Sequence, residues 1–177
     1  MNQKNNCEFC QIVNKEKDAK RIFEDEKALA ILSPIPCCAG HILLMPKEHF
    51  SIIEQVPDYL IAHLSKITNK ISIAIFEVLQ AKGTNMLIQN GVAAGQKSNH
   101  FMIHIIPRKE NDSLDFQWQP KQLNEEQMST IELNLKEATK GIGDFEKEEK
   151  KPVILDKRIE KIDKEENYLV KQLNRIP

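Results

Sequence analysis

The sequence predicts an α+β fold with a mainly antiparallel sheet of about five strands, one long helix and a C-terminal helical extension. Short apolar runs separated by turn residues occupy the first third of the chain, as in strands joined by tight connections. One apolar stripe then repeats at three- and four-residue steps, which indicates an amphipathic helix packing on a sheet. Two more strand-like runs follow it, and this order of elements indicates α+β.

The first three strands are predicted from apolar runs and their breakers. Residues 21–25 and 28–32 form a hairpin around the polar turn Asp25-Glu26-Lys27. Pro34 and Pro36 interrupt the chain, and residues 40–46 form a third strand that ends at Pro46.

The long helix is predicted from Asp58 to about Gln80, with Pro57-Asp58 as its start signal and Gly83 as its stop. Its stripe consists of Leu60, Leu64, Ile67, Ile71, Ile75 and Val78. Strands at residues 84–89 and 101–107 complete the sheet.

Length and composition indicate one full domain with an extension. The chain has 177 residues, 41% hydrophobic and 29% charged, with a net charge of -1. That charge gives no global field for nucleic acid or an anionic membrane. No apolar run approaches the roughly 20 residues of a spanning helix, and no secretory signal is visible, so we expect a cytoplasmic protein.

The predicted domain covers residues 1–110, and residues 111–177 are predicted to be a helical extension packing on the domain or on a dimer partner. Met128, Ile131, Leu135 and Ala138 mark one helix, and residues 156–173 a further helix. Between them, the charged residues 144–151 read as a solvated linker or helix end.

The four cysteines form two close pairs. In a reducing compartment, the C-x-x-C pair Cys7 and Cys10 favours metal binding or redox chemistry over a structural disulfide. We expect the adjacent Cys37 and Cys38 to be small buried residues, because neighbouring side chains diverge and suit a shared metal poorly.

The most informative stretch runs from Asn90 to Arg108. His100, Met102 and His104 alternate along a predicted strand and share one face, while Phe101, Ile103 and Ile105 face the core. Imidazoles beside a Gly-containing loop suit a metal, a base or nucleophile, or a phosphate ester. The plainer alternative is that each histidine satisfies a backbone carbonyl.

The pattern Ala94-Gly95-Gln96-x-x-x-His100-x-Met102-x-His104-x-Ile106-Pro107-Arg108, with Gly40-His41 and Pro46-Lys47-x-His49 upstream, resembles the histidine triad (HIT) family of nucleotide-binding proteins. The resemblance covers roughly residues 7–108. It implies an α+β domain that pairs through its long helix and a sheet edge into a homodimer. It also implies hydrolysis or transfer of nucleotidyl groups through a histidine nucleophile.

Met102 replaces that nucleophile at the middle triad position. A thioether is weakly nucleophilic and has no ring nitrogen to carry the intermediate, so we expect hydrolase activity to be lost or strongly reduced. Ser33 occupies the position where the family usually has an acidic residue or Asn that binds the ribose hydroxyls. Serine makes one such bond instead of two.

The other family positions imply a pocket for a purine nucleotide or nucleotide conjugate. His104 matches a phosphate contact, and His41 matches the histidine that positions the triad. The loop residues that match phosphate or nucleotide contacts are Gln89, Asn90, Gly95 and Gln96.

The zinc-binding branch of the family implies a structural Zn²⁺ held by Cys7, Cys10, His49 and His100. Two thiolates and two imidazoles form a closed tetrahedral site without an open catalytic position. On this assignment His100 is a metal ligand rather than a catalyst.

Three functions remain open on the sequence. The first is a nucleotide-binding protein with little or no hydrolysis. The second is a working hydrolase that uses direct attack by water, with His104 and Gln96 stabilising phosphate charge. The third is a zinc-stabilised dimeric interaction module with a vestigial pocket.

Overall fold

A five-stranded sheet carries the candidate site, and its strands lie close to the predicted positions. The computed structural model describes residues 7–143. The strands are β1 (Arg21–Glu24), β2 (Ala28–Leu32), β3 (Ile42–Pro46), β4 (Gly83–Leu87) and β5 (Ile103–Arg108), in the spatial order β1-β2-β3-β5-β4. Each neighbouring pair of these strands is antiparallel, so the predicted fold class is confirmed.

Three α-helices accompany the strands in the described residues: α1 (Glu8–Val13), α2 (Asp58–Leu79) and α3 (Glu125–Ala138). Single 3-10 turns lie at Ile53–Gln55 and Val92–Ala94. Helix α1 is not among the elements predicted from the sequence. Six residues are too few to show helical periodicity, and burial of Phe9 and Ile12 stabilises the helix instead.

The sheet is apolar on both faces. One face packs on α2 and forms the helix-side cluster, which comprises Ala28, Ala30, Ile42, Leu44, Val56, Leu60, Leu64, Ile67, Ile71, Ile75, Ala81, Phe101, Ile103 and Ile105. The other face packs on α1 and forms the N-terminal cluster, which comprises Cys7, Phe9, Cys10, Ile12, Leu29, Ile31, Leu43 and Met45. As predicted, Phe101, Ile103 and Ile105 are buried on the side opposite Met102, which packs against the N-terminal cluster.

Strand β5 lies between β3 and β4, which brings two distant histidines together. It begins at Ile103, two residues later than predicted, so His100 and Met102 precede the strand. In the β3–β5 register Leu43 faces His104. His41 lies two residues before Leu43 and therefore shares its face of the sheet.

The end of α2 differs from the prediction. The helix stops at Leu79 because Gln80 is left-handed (φ 52°), whereas the predicted stop, Gly83, is the first residue of β4. Val78, which we had placed in the buried stripe, is 77% exposed. Leu79 packs against Gly40. A Cβ atom added at Gly40 would lie 2.3 Å from Cδ1 of Leu79.

The expectation that Cys37 and Cys38 are buried is wrong. Cys37 is exposed and Cys38 is half-buried. The proline-interrupted segment between β2 and β3 is a surface loop, and its small residues do not enter either apolar cluster.

Among the described residues, 113–143 belong to a second compact unit. Helix α3 confirms the helix predicted there. It starts with a capping box between Asn124 and Gln127, and none of its residues is buried. The predicted linker at 144–151 and helix at 156–173 lie outside the described residues. No helix within residues 7–143 is long and apolar enough to cross a membrane.

Candidate functional site

The predicted metal ligands lie together beside the N-terminal cluster. Cys7 is the N-cap residue of α1 and Cys10 lies in its first turn, while His49 follows β3 and His100 precedes β5. Their four ligand atoms all lie within 4.8 Å of one another. The structure therefore brings together four residues that are up to 93 positions apart in the chain, and the group is able to hold a metal ion.

His100 is oriented for ligation through Nδ1. Its Nε2–H donates to the Pro46 carbonyl oxygen at 3.0 Å, which leaves a lone pair on Nδ1, the atom facing the thiols. Burial lowers the pKa of His100 to about 4, with the Pro46 hydrogen bond opposing that shift. The imidazole is therefore neutral near pH 7, as a metal ligand must be.

His41 and His104 form a pair that is separate from the metal ligands and lies on the same side of the sheet as they do. Nε2 of His41 lies 3.1 Å from Nδ1 of His104, and the backbone N–H of Cys37 donates to Nδ1 of His41 at 3.3 Å. Since that Nδ1 atom accepts, neutral His41 carries its proton on Nε2 and donates it to His104.

The pair stays uncharged at neutral pH. Burial, and then the charge of His104, lowers the pKa of His41 to about 4, and burial also lowers the pKa of His104. Neutral His104 then has its own proton on Nε2, for which the described residues show no partner. The arrangement presents one N–H donor, suited to an oxygen of a ligand.

Met102 lies between the metal ligand His100 and the paired His104 in sequence. Its side chain is half-buried and packs against the N-terminal cluster. The middle triad position is therefore occupied by an apolar group held in an apolar environment.

Gln96 stabilises the loop between β4 and β5 through three hydrogen bonds to backbone groups. Its Oε1 atom accepts from the Gly91 N–H at 2.7 Å, and its Nε2 atom donates to the carbonyl oxygens of Ser51 and Ser98 at 2.7 and 2.8 Å. Both amide hydrogens are thus used within the protein. The side chain that we predicted to contact phosphate has a structural task in this arrangement.

Gln89 and Gly95 are in close contact beneath that loop. Gly95 has φ +87°, and a Cβ there would lie 2.7 Å from Nε2 of Gln89. Asn90 links the loop to the 3-10 turn, accepting from the Ile53 N–H and donating to the Glu54 carboxylate. These contacts tie the loop to the 3-10 turn at Ile53–Gln55.

Ser33 lies at the start of the loop between β2 and β3. Its hydroxyl oxygen accepts from the Ile35 N–H at 3.3 Å, and its own N–H donates to the His41 carbonyl oxygen at 2.8 Å. The hydroxyl hydrogen has no partner shown within residues 7–143. Ser33 therefore retains one donor.

Two backbone groups of the site were not predicted from the sequence. They are the Pro46 carbonyl, which accepts from His100, and the Cys37 N–H, which donates to His41. Every residue has a carbonyl and every non-proline residue has an N–H, so no sequence signal distinguishes these two. Only the folded backbone determines which carbonyl or N–H faces an imidazole.

Comparison with known proteins identifies the family. A family profile described as HIT domain matches residues 14–111, and the chain belongs to this family. The adenylylsulfatase HINT3 of Arabidopsis thaliana is 40% identical over 110 residues, which are 62% of this chain and 56% of that protein. The chain thus spans little more than half the length of that relative.

Two solved structures share the fold. A zinc-bound histidine triad family protein from Mycobacterium smegmatis superposes with a TM-score of 0.61 at 36% identity, covering 67% of this chain and 86% of that one. A histidine triad nucleotide-binding protein from Candida albicans gives a TM-score of 0.68 at 25% identity, covering 75% and 96% of the two chains.

Proposed function

We propose that this chain is a zinc-stabilised HIT protein that binds a purine nucleotide or nucleotide conjugate and has lost most or all of its hydrolase activity. The observation that carries the proposal is Met102 at the nucleophile position beside an intact His41–His104 pair. The pair keeps a donor for a phosphate oxygen, whereas the atom that attacks phosphorus in the family is missing.

The chemistry of the thioether supports the loss of activity. A nucleotidyl intermediate needs a nucleophile whose lone pair attacks the α-phosphorus and then leaves when water arrives. The Met102 sulfur is a poor nucleophile at any pH, and its side chain packs against the N-terminal cluster. Removal of a catalytic nucleophile commonly lowers kcat by roughly 10⁴-fold or more.

Polar groups at the family's binding positions support nucleotide binding. His104 offers Nε2–H as a phosphate contact, His41 fixes its tautomer, and Ser33 offers a hydroxyl to the ribose. The contacts made by Gln89, Asn90, Gly95 and Gln96 keep the adjoining loop in place. We assign these four residues to shaping the phosphate site, which the loop would line with backbone N–H groups.

The donor geometry supports zinc as the ion. In tetrahedral zinc sites, with Zn–S of about 2.3 Å and Zn–N of about 2.05 Å, neighbouring S and N ligand atoms lie about 3.6 Å apart. Here Cys7 Sγ and Cys10 Sγ lie 3.5 and 3.6 Å from His100 Nδ1, and Cys10 Sγ lies 3.2 Å from His49 Nδ1. Zinc bound there would have a structural role, joining α1 to the chain before β5.

Relatives point to the same class of ligand. The Arabidopsis relative is named an adenylylsulfatase and the Candida relative a nucleotide-binding protein. We extend nucleotide binding to this chain, with the base and the conjugated group left open. We also extend to it the homodimer expected for the family, formed through α2 and the β4 edge.

The deciding experiment measures AMP release from an adenosine phosphoramidate and from a dinucleoside polyphosphate, together with calorimetric binding of AMP and GMP. We expect the wild-type protein to bind a nucleotide and release little AMP. Met102→His should raise AMP release by about 10²-fold or more if the remaining pocket is competent.

Met102→Leu is the matched control, because it removes the sulfur without adding a ring nitrogen. It should bind nucleotide like the wild type and remain as slow. Wild-type turnover close to that of Met102→His would contradict the loss of activity and favour direct attack by water.

A role in protein interaction is the second candidate, and the exposed apolar residues of α3 favour it. Met128, Ile131 and Leu135 are between 47% and 58% exposed, and such side chains commonly lie in interfaces. Absence of both turnover and nucleotide binding in the same assays would replace the first proposal with this one.

A further inference from the structure

The adjacent thiols of Cys37 and Cys38 lie outside the metal-ligand group but next to the histidine pair. They occupy the loop between β2 and β3, with Cys37 exposed and Cys38 half-buried, and neither is in a disulfide. The group able to hold a metal ion contains neither of them. Their surroundings differ, and the difference determines which thiol is able to react.

Cys38 is held as a thiol. Its S–H donates to the Pro107 carbonyl oxygen at 3.3 Å. Burial, and then the neighbouring Cys37, raises the pKa of Cys38 to about 11. Because the thiolate is the reactive form, Cys38 is a slow nucleophile near pH 7.

Cys37 contacts His41 through two groups. Its backbone N–H lies 3.3 Å from Nδ1 of His41, and its Sγ atom lies 3.5 Å from the same nitrogen. The opposite nitrogen of that ring, Nε2, lies 3.1 Å from His104. An exposed sulfur is therefore separated from His104 by a single imidazole.

We propose that Cys37 is a site of mixed-disulfide formation with a low-molecular-mass disulfide, and that the adduct weakens the hydrogen bond between His41 and His104. The site is independent of the metal ligands. Through this site, the balance of small thiols and disulfides in the surroundings affects His104, the imidazole that presents an N–H donor.

The reaction is an exchange that balances without another oxidant. The Cys37 thiolate attacks one sulfur of the small disulfide, a new S–S bond forms, and the other sulfur leaves as a thiolate. The proton released by Cys37 ends on that leaving thiol. One thiol is consumed and one is produced, and reversal needs only an excess of small thiol.

The adduct should persist rather than pass to a disulfide between the two cysteines. Adjacent Cα atoms lie about 3.8 Å apart, below the roughly 4.4 Å at which ordinary disulfides begin. Attack by Cys38 also needs its thiolate, which burial disfavours. Both factors slow resolution of the mixed disulfide.

The consequence for His41 follows from the contacts at Nδ1. An adduct removes the S–H hydrogen from Cys37 and adds bulk to an atom 3.5 Å from the ring. We expect the ring to turn away from this bulk, and the turn to weaken its Nε2–H donation to His104. Any resulting loss of nucleotide affinity rests on the function proposed above, whereas the imidazole response does not.

In the test, the full chain loaded with zinc is treated with glutathione disulfide. Peptide mass spectrometry then identifies which cysteine carries the adduct. Nitrogen-15 NMR of the imidazoles then reports the tautomers of His41 and His104. We expect labelling of Cys37 to be about tenfold or more faster than that of Cys38. Shifted His41 and His104 signals should accompany the label and revert on reduction.

Two variants serve as controls, each compared with its own reduced state. Cys37→Ser should take up label in this loop only at the slow rate of Cys38 and show no imidazole change, while Cys38→Ser should be labelled at Cys37 and show the imidazole change. Preferential labelling of Cys38, a Cys37–Cys38 disulfide as the main product, or a labelled Cys37 with unchanged imidazole signals would each overturn the proposal. AMP binding is measured in a separate assay. Failure to bind AMP would contradict the proposed function without affecting the test of the Cys37 adduct.

Discussion

At the scale of single residues, neighbouring groups give the histidines of this domain different tasks. Nε2 of His100 is committed to a backbone carbonyl, so its Nδ1 is available to a metal. Nδ1 of His41 is committed to a backbone N–H, so its Nε2 is available to His104. In both cases the hydrogen bond at one ring nitrogen determines the chemistry at the other.

The neutral state of His41 makes stability depend on pH. Its pKa is about 4 in the folded protein and about 6.5 in an unfolded chain. Between these values the unfolded state binds more protons, so the free energy of unfolding should fall as pH falls from about 6.5 towards 4. For His41 alone the full effect is at most roughly 3–4 kcal/mol.

Chemical denaturation of the wild type and of His41→Asn across this pH range checks the expectation. The variant should show the smaller dependence on pH. Both proteins have the same four metal ligands, so proton uptake at those residues largely cancels in the comparison. Equal pH dependence in the two proteins would refute the role of burial at His41.

At the scale of elements, short segments are held by contacts with distant parts of the chain. Helix α1 has six residues, too few to be stable alone. Its cysteines meet His49 and His100, and Phe9 packs against the sheet. The entry to β3 depends similarly on the end of α2, where Leu79 covers Gly40.

Metal removal should therefore loosen α1 and the chain before β5. We expect about one zinc per chain by elemental analysis. A strong chelator should lower the melting temperature by about 10 °C or more, because a structural zinc contributes several kcal/mol to folding.

Single substitutions locate that effect. Cys10→Ala should lose the metal and melt like the chelated protein, while Cys38→Ala should keep it. A purified protein without metal, or a chelator without effect on the melting temperature, would remove zinc from the proposal.

The free-energy cost of crowding Leu79 at Gly40 can be separated from the cost of backbone strain, because Gly91 is a matched control for the strain alone. Gly40 and Gly91 have φ +85° and +87°, but a Cβ at Gly91 would meet nothing within 4 Å. Gly91→Ala should cost about 1–2 kcal/mol from the left-handed backbone alone. Gly40→Ala should cost about 1 kcal/mol more, since Leu79 must move.

Denaturation of the two variants and of Gly40→Ala/Leu79→Ala measures the difference. The double substitution should recover the excess cost at Gly40. Equal destabilisation by both single substitutions would mean that Leu79 moves aside freely.

At the scale of the whole molecule, the two outer edges of the sheet differ in what lies beside them. Strand β4 is one edge, with Met86 50% exposed, and Val78 on α2 is 77% exposed. Strand β1 is the other edge, with Ile22 50% exposed. The homodimer that we propose uses the first edge together with α2.

Val78→Glu should therefore separate the dimer. An unpaired charge buried in an interface costs about 3–5 kcal/mol, which corresponds to an affinity at least roughly 10²-fold weaker. Light scattering after gel filtration measures the mass. Ile22→Glu, at the opposite edge, should leave the mass unchanged, and a wild-type protein of monomeric mass would exclude the dimer.

Sequence patterns alone were sufficient for the order of the five strands and α2. Apolar alternation and the periodic stripe from Leu60 to Ile75 predicted the strands and α2, because these patterns reflect burial of one face. The motif of glycines, histidines and cysteines predicted the family, and with it the four ligands that the fold brings together.

Tertiary contacts decided the remaining features. The strand order places β5 beside β3, and only this makes His41 and His104 neighbours. Helix α1, the end of α2 at Gln80 and the task of Gln96 each depend on partners distant in sequence. Periodicity records which face of a segment is buried, but the groups that meet an imidazole or an amide are determined by packing between segments.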